Sequence, residues 1–386
     1  MRRRRVLYVH GFDPRGPSPY HQMFEREAAL QAGVDGAQIT VGPRKAASKT
    51  TAEWDVVSIY GGVETQTRYS FLRWDDVARS LWTRGDVNLW RELWAWVGDY
   101  RTRGAFAYAR AGAKPGYWAM LTPPLGLLNL LFDTALAAAL LAWLGWRIAG
   151  APPGALAGLV PVLLLPVTWR WVDATWNLAW LSRCFAFIGL GARGGSAALL
   201  EREAEFAADI VAACADASID EVLIVGHSQG APVAVQALSR ALALRPDLGA
   251  AGPTLSLLTL GQPISIWSFL APAKGGFRQD VAAVRDARDI FWLDVTSPSD
   301  SVSACGLSPL DVVGAVDETR PARRSPHFHL SLSPKTFWRI RLRPFAFHFQ
   351  YLCATEVADT YSYFRMICGP ARLCDFADGW TQATVD

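Results

Sequence analysis

The sequence predicts an α/β domain interrupted by a two-helix membrane hairpin. Three observations carry this expectation. Glu221–Leu238 reads as a buried strand, a tight turn and a helix. Val6–Phe12 reads as a strand that runs into a His-Gly turn. Pro123–Trp146 and Ala151–Trp169, which lie between them, are long apolar segments almost without charge.

In the first stretch, Val222–Val225 is a short apolar, β-branched run, the pattern of a central parallel strand. Gly226-His227-Ser228-Gln229-Gly230 is a G-x-S-x-G turn. Ala231–Leu238 is small, apolar and helix-compatible, and Pro232 falls in its first turn, where a missing N–H costs little. The two glycines let strand and helix approach closely, which forces Ser228 into a strained, exposed position. Its hydroxyl then lies over a helix N-terminus, where developing negative charge is favoured. Ser228 is the candidate nucleophile.

Composition narrows the alternatives. The chain has 386 residues and a net charge of +3, which leaves no strong footprint for nucleic acid. Charged residues make up only 19% and apolar residues 51%, and twelve of the seventeen tryptophans lie between Trp74 and Trp180. That clustering marks a middle region facing a different solvent. Cys184, Cys214, Cys305, Cys353, Cys368 and Cys374 show no C-x-x-C spacing and read as scattered, reduced thiols. Arg2–Arg5 resembles the start of a signal peptide, but Val6–Val9 is too short for its apolar core and reads as the first strand. The soluble part is therefore expected in the cytoplasm.

After the His10-Gly11-Phe12 turn, Tyr20–Ala32 reads as a helix, Gln38–Val41 and Trp54–Tyr60 as strands, and Pro43–Thr51 as a loop. His10 is expected to shape its loop. The backbone N–H groups of Phe12 and Gln229 are the candidate donors to an oxyanion. From Phe71 to Tyr117 the pattern is helical, aromatic and interspersed with arginine, which suggests a surface resting at a membrane interface.

Pro123–Trp146 holds one charge, Asp133, and Ala151–Trp169 holds none. At about 1.5 Å per residue each is long enough for a hydrocarbon core of about 30 Å. Pro161 and Pro166 could instead bend the second into a re-entrant segment. Arg101, Arg103, Arg110 and Lys114 precede the first span, Arg170, Arg183 and Arg193 follow the second, and only Arg147 lies between. The positive-inside rule then makes both ends cytoplasmic. Asp133 is costly in lipid and is expected to face the partner helix or an opening. Trp171–Leu190 reads as a helix along the interface, and Ala197–Ala217 as an amphipathic helix leading into the Ser228 strand. The expected division is a domain of residues 1–70 and 192–386 and an insertion of residues 71–191.

Beyond the turn, Leu255–Leu260 and Phe291–Val295 read as strands. The second ends in Ser297-Pro-Ser-Asp300, so Asp300 is the candidate acid, against the alternative of a plain Asx turn. Asp311 and Asp317 are runners-up, and Asp294, within the strand, is less suitable. His348 is the candidate base, with His327 and His329 as alternatives. His327-Phe-His329 would put two imidazoles on one face of a strand, as a metal pair does, but few acids lie near and no metal or other cofactor is expected.

The Gly226–Gly230 turn, the His10-Gly11-Phe12 loop, the Ser-Pro-Ser-Asp turn and the late His348 occur in the chain order Ser228, Asp300, His348. In this the sequence resembles the α/β-hydrolase superfamily over most of residues 5–60 and 196–365. The resemblance implies a mostly parallel sheet with helices on both faces. It also implies a Ser–His–Asp triad acting on esters, thioesters or amides, and a lid inserted between strands. Here the insertion reads as a membrane hairpin. The expectation is a membrane-anchored serine hydrolase whose partners are the lipid bilayer and an apolar ester. A hydrolase of soluble esters or thioesters, with the hairpin as a mere anchor, is the first alternative. A non-catalytic membrane interaction protein on the same fold is the second.

Overall fold

The computed structural model describes residues 1–315 and 319–380. The chain begins with β1 (Arg3–Val9), α1 (Pro17–Asp35), β2 (Gln38–Val41), β3 (Lys45–Ala46), β4 (Thr51–Tyr60) and β5 (Val63–Leu72). Seven helices follow: α2 (Asp75–Ser80), α3 (Asp86–Thr102), α4 (Ala105–Gly112), α5 (Lys114–Ala149), α6 (Ala151–Trp176), α7 (Leu178–Ala192) and α8 (Ala197–Cys214). Then come β6 (Glu221–His227), α9 (Gly230–Leu244), β7 (Thr254–Leu260), α10 (Ile264–Leu270), α11 (Phe277–Asp286), β8 (Ile290–Val295) and β9 (Ala322–Arg324). The last helices are α12 (Phe328–Ser331), α13 (Pro334–Arg341), α14 (Pro344–His348), α15 (Tyr363–Cys368) and α16 (Leu373–Gly379).

Among the described residues the strands form one sheet in the order β2-β4-β5-β1-β6-β7-β8-β9, with β3 beside β4. From β5 to β9 every neighbouring pair is parallel, and β2, β3 and β4 add an antiparallel edge. Alternate residues feed two cores. Leu7, Val9, Val222, Ile224, Leu255 and Leu257 pack under α8, α9 and α11 on one face. Val6, Tyr8, Leu223, Val225 and Leu258 meet α1 and the C-terminal helices on the other. Helices therefore cover both faces, and the central strands read as continuous apolar runs for that reason. The buried Arg4–Glu221 ion pair, at 2.7 Å, ties β1 to β6. Its remaining valences are met by Gly369 O, Ala371 O, Ser256 and Leu373 N. A buried pair is tolerated only when so satisfied.

β5 departs from the sequence expectation, which passed it over and began the insertion at residue 71. Its outer residues, Glu64, Gln66 and Arg68, are polar, because the sheet is exposed on one side there. The signal for it was Gly61-Gly62, a two-residue hairpin turn with φ of 55° and 81° at the two glycines. Positive φ at both central residues is what such a turn requires.

The flanks of the apolar segments also differ from expectation. Trp74, Trp96 and Tyr100 are buried rather than spread over a membrane interface. Helix α7 is not an interfacial helix either. Leu181, Phe185, Phe187 and Ile188 enter the main core, where Trp96 donates to Ser182 and Tyr100 to the Phe185 carbonyl.

Helices α5 and α6 are long and apolar enough to cross a membrane, and most of their apolar windows are uncovered by protein. They pack antiparallel through small residues. A Cβ on Gly154 would lie 2.7 Å from the Ala142 carbonyl oxygen, and one on Gly158 3.0 Å from that of Ala138. Spacing glycines by four lets helix backbones approach in this way. Helix α6 continues through Pro161 and Pro166 without a break. Asp133 lines an opening, one of the two placements expected of it. It accepts a 2.8 Å hydrogen bond from Asn129, one turn earlier, on the wall of a groove of about 790 Å³ between α5 and the α6–α7 junction.

Candidate active site

The parallel strands β1 and β6 lie side by side, yet β1 leads to the β5 side of the sheet and β6 to the β7 side. The loops after their C-terminal ends diverge at this switch in direction, the usual position of a ligand crevice in an open α/β sheet. The first loop carries Gly11 and Phe12, and the second carries Ser228 and Gln229.

Ser228 has a φ of 56°. A left-handed conformation costs a non-glycine residue roughly 1–2 kcal/mol and is held here by its surroundings. The Ser228 N–H donates to the Leu260 carbonyl at 2.9 Å. Both glycines of the turn are sterically required. A Cβ on Gly226 would sit 2.5 Å from Ala231 Cα, and one on Gly230 would sit 2.2 Å from the Val9 carbonyl oxygen. Gly11 lies against the serine less tightly, since a Cβ there would be 3.2 Å from Ser228 Cβ and 3.5 Å from its Oγ. The Gly11–Phe12 segment therefore borders the hydroxyl. Gln229 caps the N-terminus of α9, and its side chain accepts from Trp267 Nε1 at 2.9 Å, away from the backbone N–H.

His348 Nδ1 and Asp300 Oδ2 are 2.8 Å apart, and both side chains are 1% exposed. Because a carboxylate only accepts, Nδ1 carries the proton, and the lone pair resides on Nε2. His348 Nε2 is buried and has no hydrogen-bond partner. Its ring is held beside the Ser228 loop. Cε1 lies 3.1 Å from where a Cβ on Gly261 would be, one residue past the Leu260 carbonyl that binds Ser228. Asp300 also accepts from the Val302 N–H at 3.0 Å through its other oxygen. The Asx turn and the pairing with histidine are thus both present, one on each oxygen.

Several neighbours were not legible beforehand. His227 Nε2 is 3.0 Å from the His348 carbonyl oxygen and donates to it, which positions the histidine backbone. Burial, and next the nearby His348, push the His227 pKa well below the usual imidazole value, so it stays neutral. Its place immediately before Ser228 was the available signal. Tyr351 accepts from the Ser297 N–H at 2.8 Å and fixes the turn that carries Asp300. Trp180 of α7 has its ring 6.4 Å from that of His348 and packs edge-on against Phe345 at 4.8 Å. Phe12 stacks on Phe187 at 4.4 Å. His10 does shape its loop. Its Nδ1 donates to the Gly11 carbonyl at 2.8 Å, its ring stacks on Phe71 and Trp74, and burial lowers its pKa to about 4.

The alternatives lie elsewhere. Asp294 is buried in β8, where it accepts from Thr259 and Gln262, and burial pushes its pKa up to about 6. Asp311 accepts from the Ser308 N–H in an exposed turn. Asp317 lies outside the described residues. His327 and His329 are not on a strand as expected. His327 is the left-handed residue before α12 and His329 is inside it, with their rings 5.7 Å apart. The described residues contain no group of three or more His, Cys, Asp or Glu side chains suited to hold a metal ion.

No family model, curated protein or solved structure gives a significant match to this chain.

Proposed function

We propose that this chain is a membrane-anchored serine hydrolase that cleaves carboxylic ester bonds of lipids or other apolar acyl substrates. The observation that carries the reading is the buried His348–Asp300 pair, its Nε2 unpartnered, packed against His227, the residue before a serine held left-handed between a strand and a helix. On this reading the sheet and its two helical layers are an α/β-hydrolase fold, and α5 and α6 are its membrane hairpin. Both hairpin ends and the catalytic domain lie on the cytoplasmic side.

The chemistry follows from the proton positions. His348 Nε2 takes the Ser228 proton as Oγ attacks the substrate carbonyl. Asp300 holds the Nδ1–H tautomer and stabilises the imidazolium that forms. The backbone N–H groups of Phe12 and Gln229 receive the oxyanion, the second at the start of α9, where the helix dipole favours negative charge. The protonated His348 then donates to the leaving alcohol, and water attacks the acyl-enzyme with His348 again as base.

Two features support an apolar substrate. The groove along α5 is lined mainly by apolar side chains, Trp118, Leu125, Phe132, Val172, Trp176 and Leu178, with Asn129 and Asp133 as polar members, and Leu178 is two residues from Trp180. Ser228 is only 6% exposed, rather than open to solvent as the sequence suggests, so an acyl group must leave water to reach it. The test compares hydrolysis of a long-chain acyl ester embedded in phosphatidylcholine bilayers with that of a short soluble ester by the same reconstituted protein. Preference for the embedded ester is expected. Equal rates on both, unaffected by the bilayer, would reject the lipid assignment.

A further inference from the structure

The basic segment that leads to His348 carries an unused surface. No acidic residue occurs between Thr319 and Thr355. Within that stretch α13 and its exit present Lys335, Arg339, Arg341 and Arg343 to solvent. Between these cations stand Trp338 and Leu342, which are 59% and 74% exposed, and Leu330 of α12 is exposed beside them in the chain. Phe337, on the opposite side of α13, is buried in the core and anchors the helix. Arg341 donates to Ser299 Oγ at 2.8 Å and lies over the rings of Phe337 and Trp338. Lys335, Arg339 and Arg343 form no ion pair among the described residues. Glu356, an acid close to this face, is occupied by the Ser333 N–H and Thr336 hydroxyl, with Arg339 acting on it only through space.

A solvated surface explains the cations but not a tryptophan and a leucine left open among them. Apolar side chains flanked by basic ones, with the opposite side of the helix held by protein, are the pattern of an element lying in a lipid headgroup layer. The place in the fold agrees. The same segment continues into α14, whose Phe345 packs edge-on against Trp180. Trp180 is four residues beyond Trp176, the exposed tryptophan that ends α6. The foot of the hairpin and the basic segment thus meet through one aromatic contact.

We propose that residues 330–343 form a second membrane contact, which docks on anionic lipid headgroups of the bilayer that α5 and α6 span. Trp338, Leu342 and Leu330 enter the interface, and Lys335, Arg339 and Arg343 pair with lipid phosphates. This inference rests on the membrane-anchored reading above, but not on the proposed catalysis.

The test uses the full chain in liposomes of phosphatidylcholine, with or without phosphatidylglycerol. A photoactivatable benzoylphenylalanine replaces Trp338, or Leu140 on the hairpin, or Leu244 at the end of α9 as an exposed control, and lipid adducts are counted by mass spectrometry. Position 140 is expected to give adducts in both lipids and position 244 few in either. Each cation near an anionic surface is worth about fivefold in binding. Adducts at position 338 are therefore expected to fall at least ~fivefold in phosphatidylcholine alone. They are expected to fall as far in the combined Lys335→Gln, Arg339→Gln and Arg343→Gln variant with anionic lipid present. Adducts at 140 but not at 338, or no more at 338 than at 244, would overturn this inference and leave the hairpin reading standing. Adducts at 338 that ignore both lipid charge and the variant would overturn the headgroup assignment. Absence of adducts at both 140 and 338 would overturn the membrane reading itself.

Discussion

Replacement of Asp300 by asparagine isolates the part of the proposed mechanism that depends on one proton. Asparagine has the size of aspartate, so the Asx turn survives if its carbonyl oxygen keeps the Val302 N–H, now 3.0 Å from the carboxylate. The Ser303 hydroxyl bonds the backbone carbonyl of residue 300, not its side chain, and is unaffected. With the amide oxygen so committed, its NH₂ points to His348 Nδ1, at the 2.8 Å position that the carboxylate oxygen holds. Two donors cannot face each other, so the imidazole moves its proton to Nε2. The lone pair that would accept the Ser228 proton is then gone. For a triad, loss of the correct tautomer lowers turnover about 10⁴-fold, or about 5.4 kcal/mol at 1.36 kcal/mol per factor of ten. The assay is turnover of a short chromogenic ester, with melting temperature as the control for folding. The expected outcome is a near-complete loss of kcat at nearly unchanged Tm. A loss below about tenfold with folding intact would refute the assignment of His348 as a base held by Asp300.

Two further outcomes concern the frame around the site. Gly230→Ala places a methyl group 2.2 Å from the Val9 carbonyl oxygen and 2.4 Å from that of His10, neither of which can rotate away. Overpacking of this kind costs about 1–3 kcal/mol, so Tm is expected to drop by several degrees, and an unchanged Tm would contradict the close approach of α9 to β1. His10 is buried with its pKa lowered by desolvation to about 4, from 6.5. The unfolded chain therefore binds the proton first, and stability present above pH 6.5 is lost as the pH falls toward 4. The span of 2.5 units is worth about 3 kcal/mol, and His227, lowered by burial in the same direction, adds to it. Asp294, raised by burial to about 6, opposes this by gaining a proton in the folded state below pH 6. Glu203, raised by burial to about 7, opposes it in the same way. Unfolding titrations of the detergent-solubilised protein between pH 7 and 4 are therefore read as a difference: wild type is expected to lose about 3 kcal/mol more stability over this span than His10→Asn, and an unaltered pH slope in that variant would exclude this role of His10.

What was legible in the sequence divides along physical lines. Strand β6 and helix α9 could be read because a central parallel strand is uniformly apolar and the elbow needs glycine at fixed positions. Gly226 and Gly230 meet backbone atoms, not merely open space. The two long apolar helices were legible because runs of 24 and 19 residues, with a single charge between them, are long enough for continuous helix. Strand β5 was passed over because its polar outer residues mask its alternation, although Gly61-Gly62 marked the turn. The aromatic flanks were misread for a different reason. Composition reports that Trp74, Trp96 and Phe187 are apolar, but burial in a protein core and burial in lipid call for the same side chains. Only packing distinguishes them, and these residues pack on one another and on α7. The pairing of His348 with Asp300 was expected from chain order, whereas the supporting contacts from His227 and Tyr351 depend on which loops the sheet brings together.

The most direct measurement is covalent labelling of the detergent-solubilised protein by a fluorophosphonate, which reacts with activated serines. The proposed mechanism requires that wild type be labelled, Ser228→Ala not at all and His348→Ala only weakly, with mass spectrometry locating the adduct on the Gly226–Gly230 turn. Equal labelling of wild type and Ser228→Ala would contradict it, because another residue would then be the nucleophile.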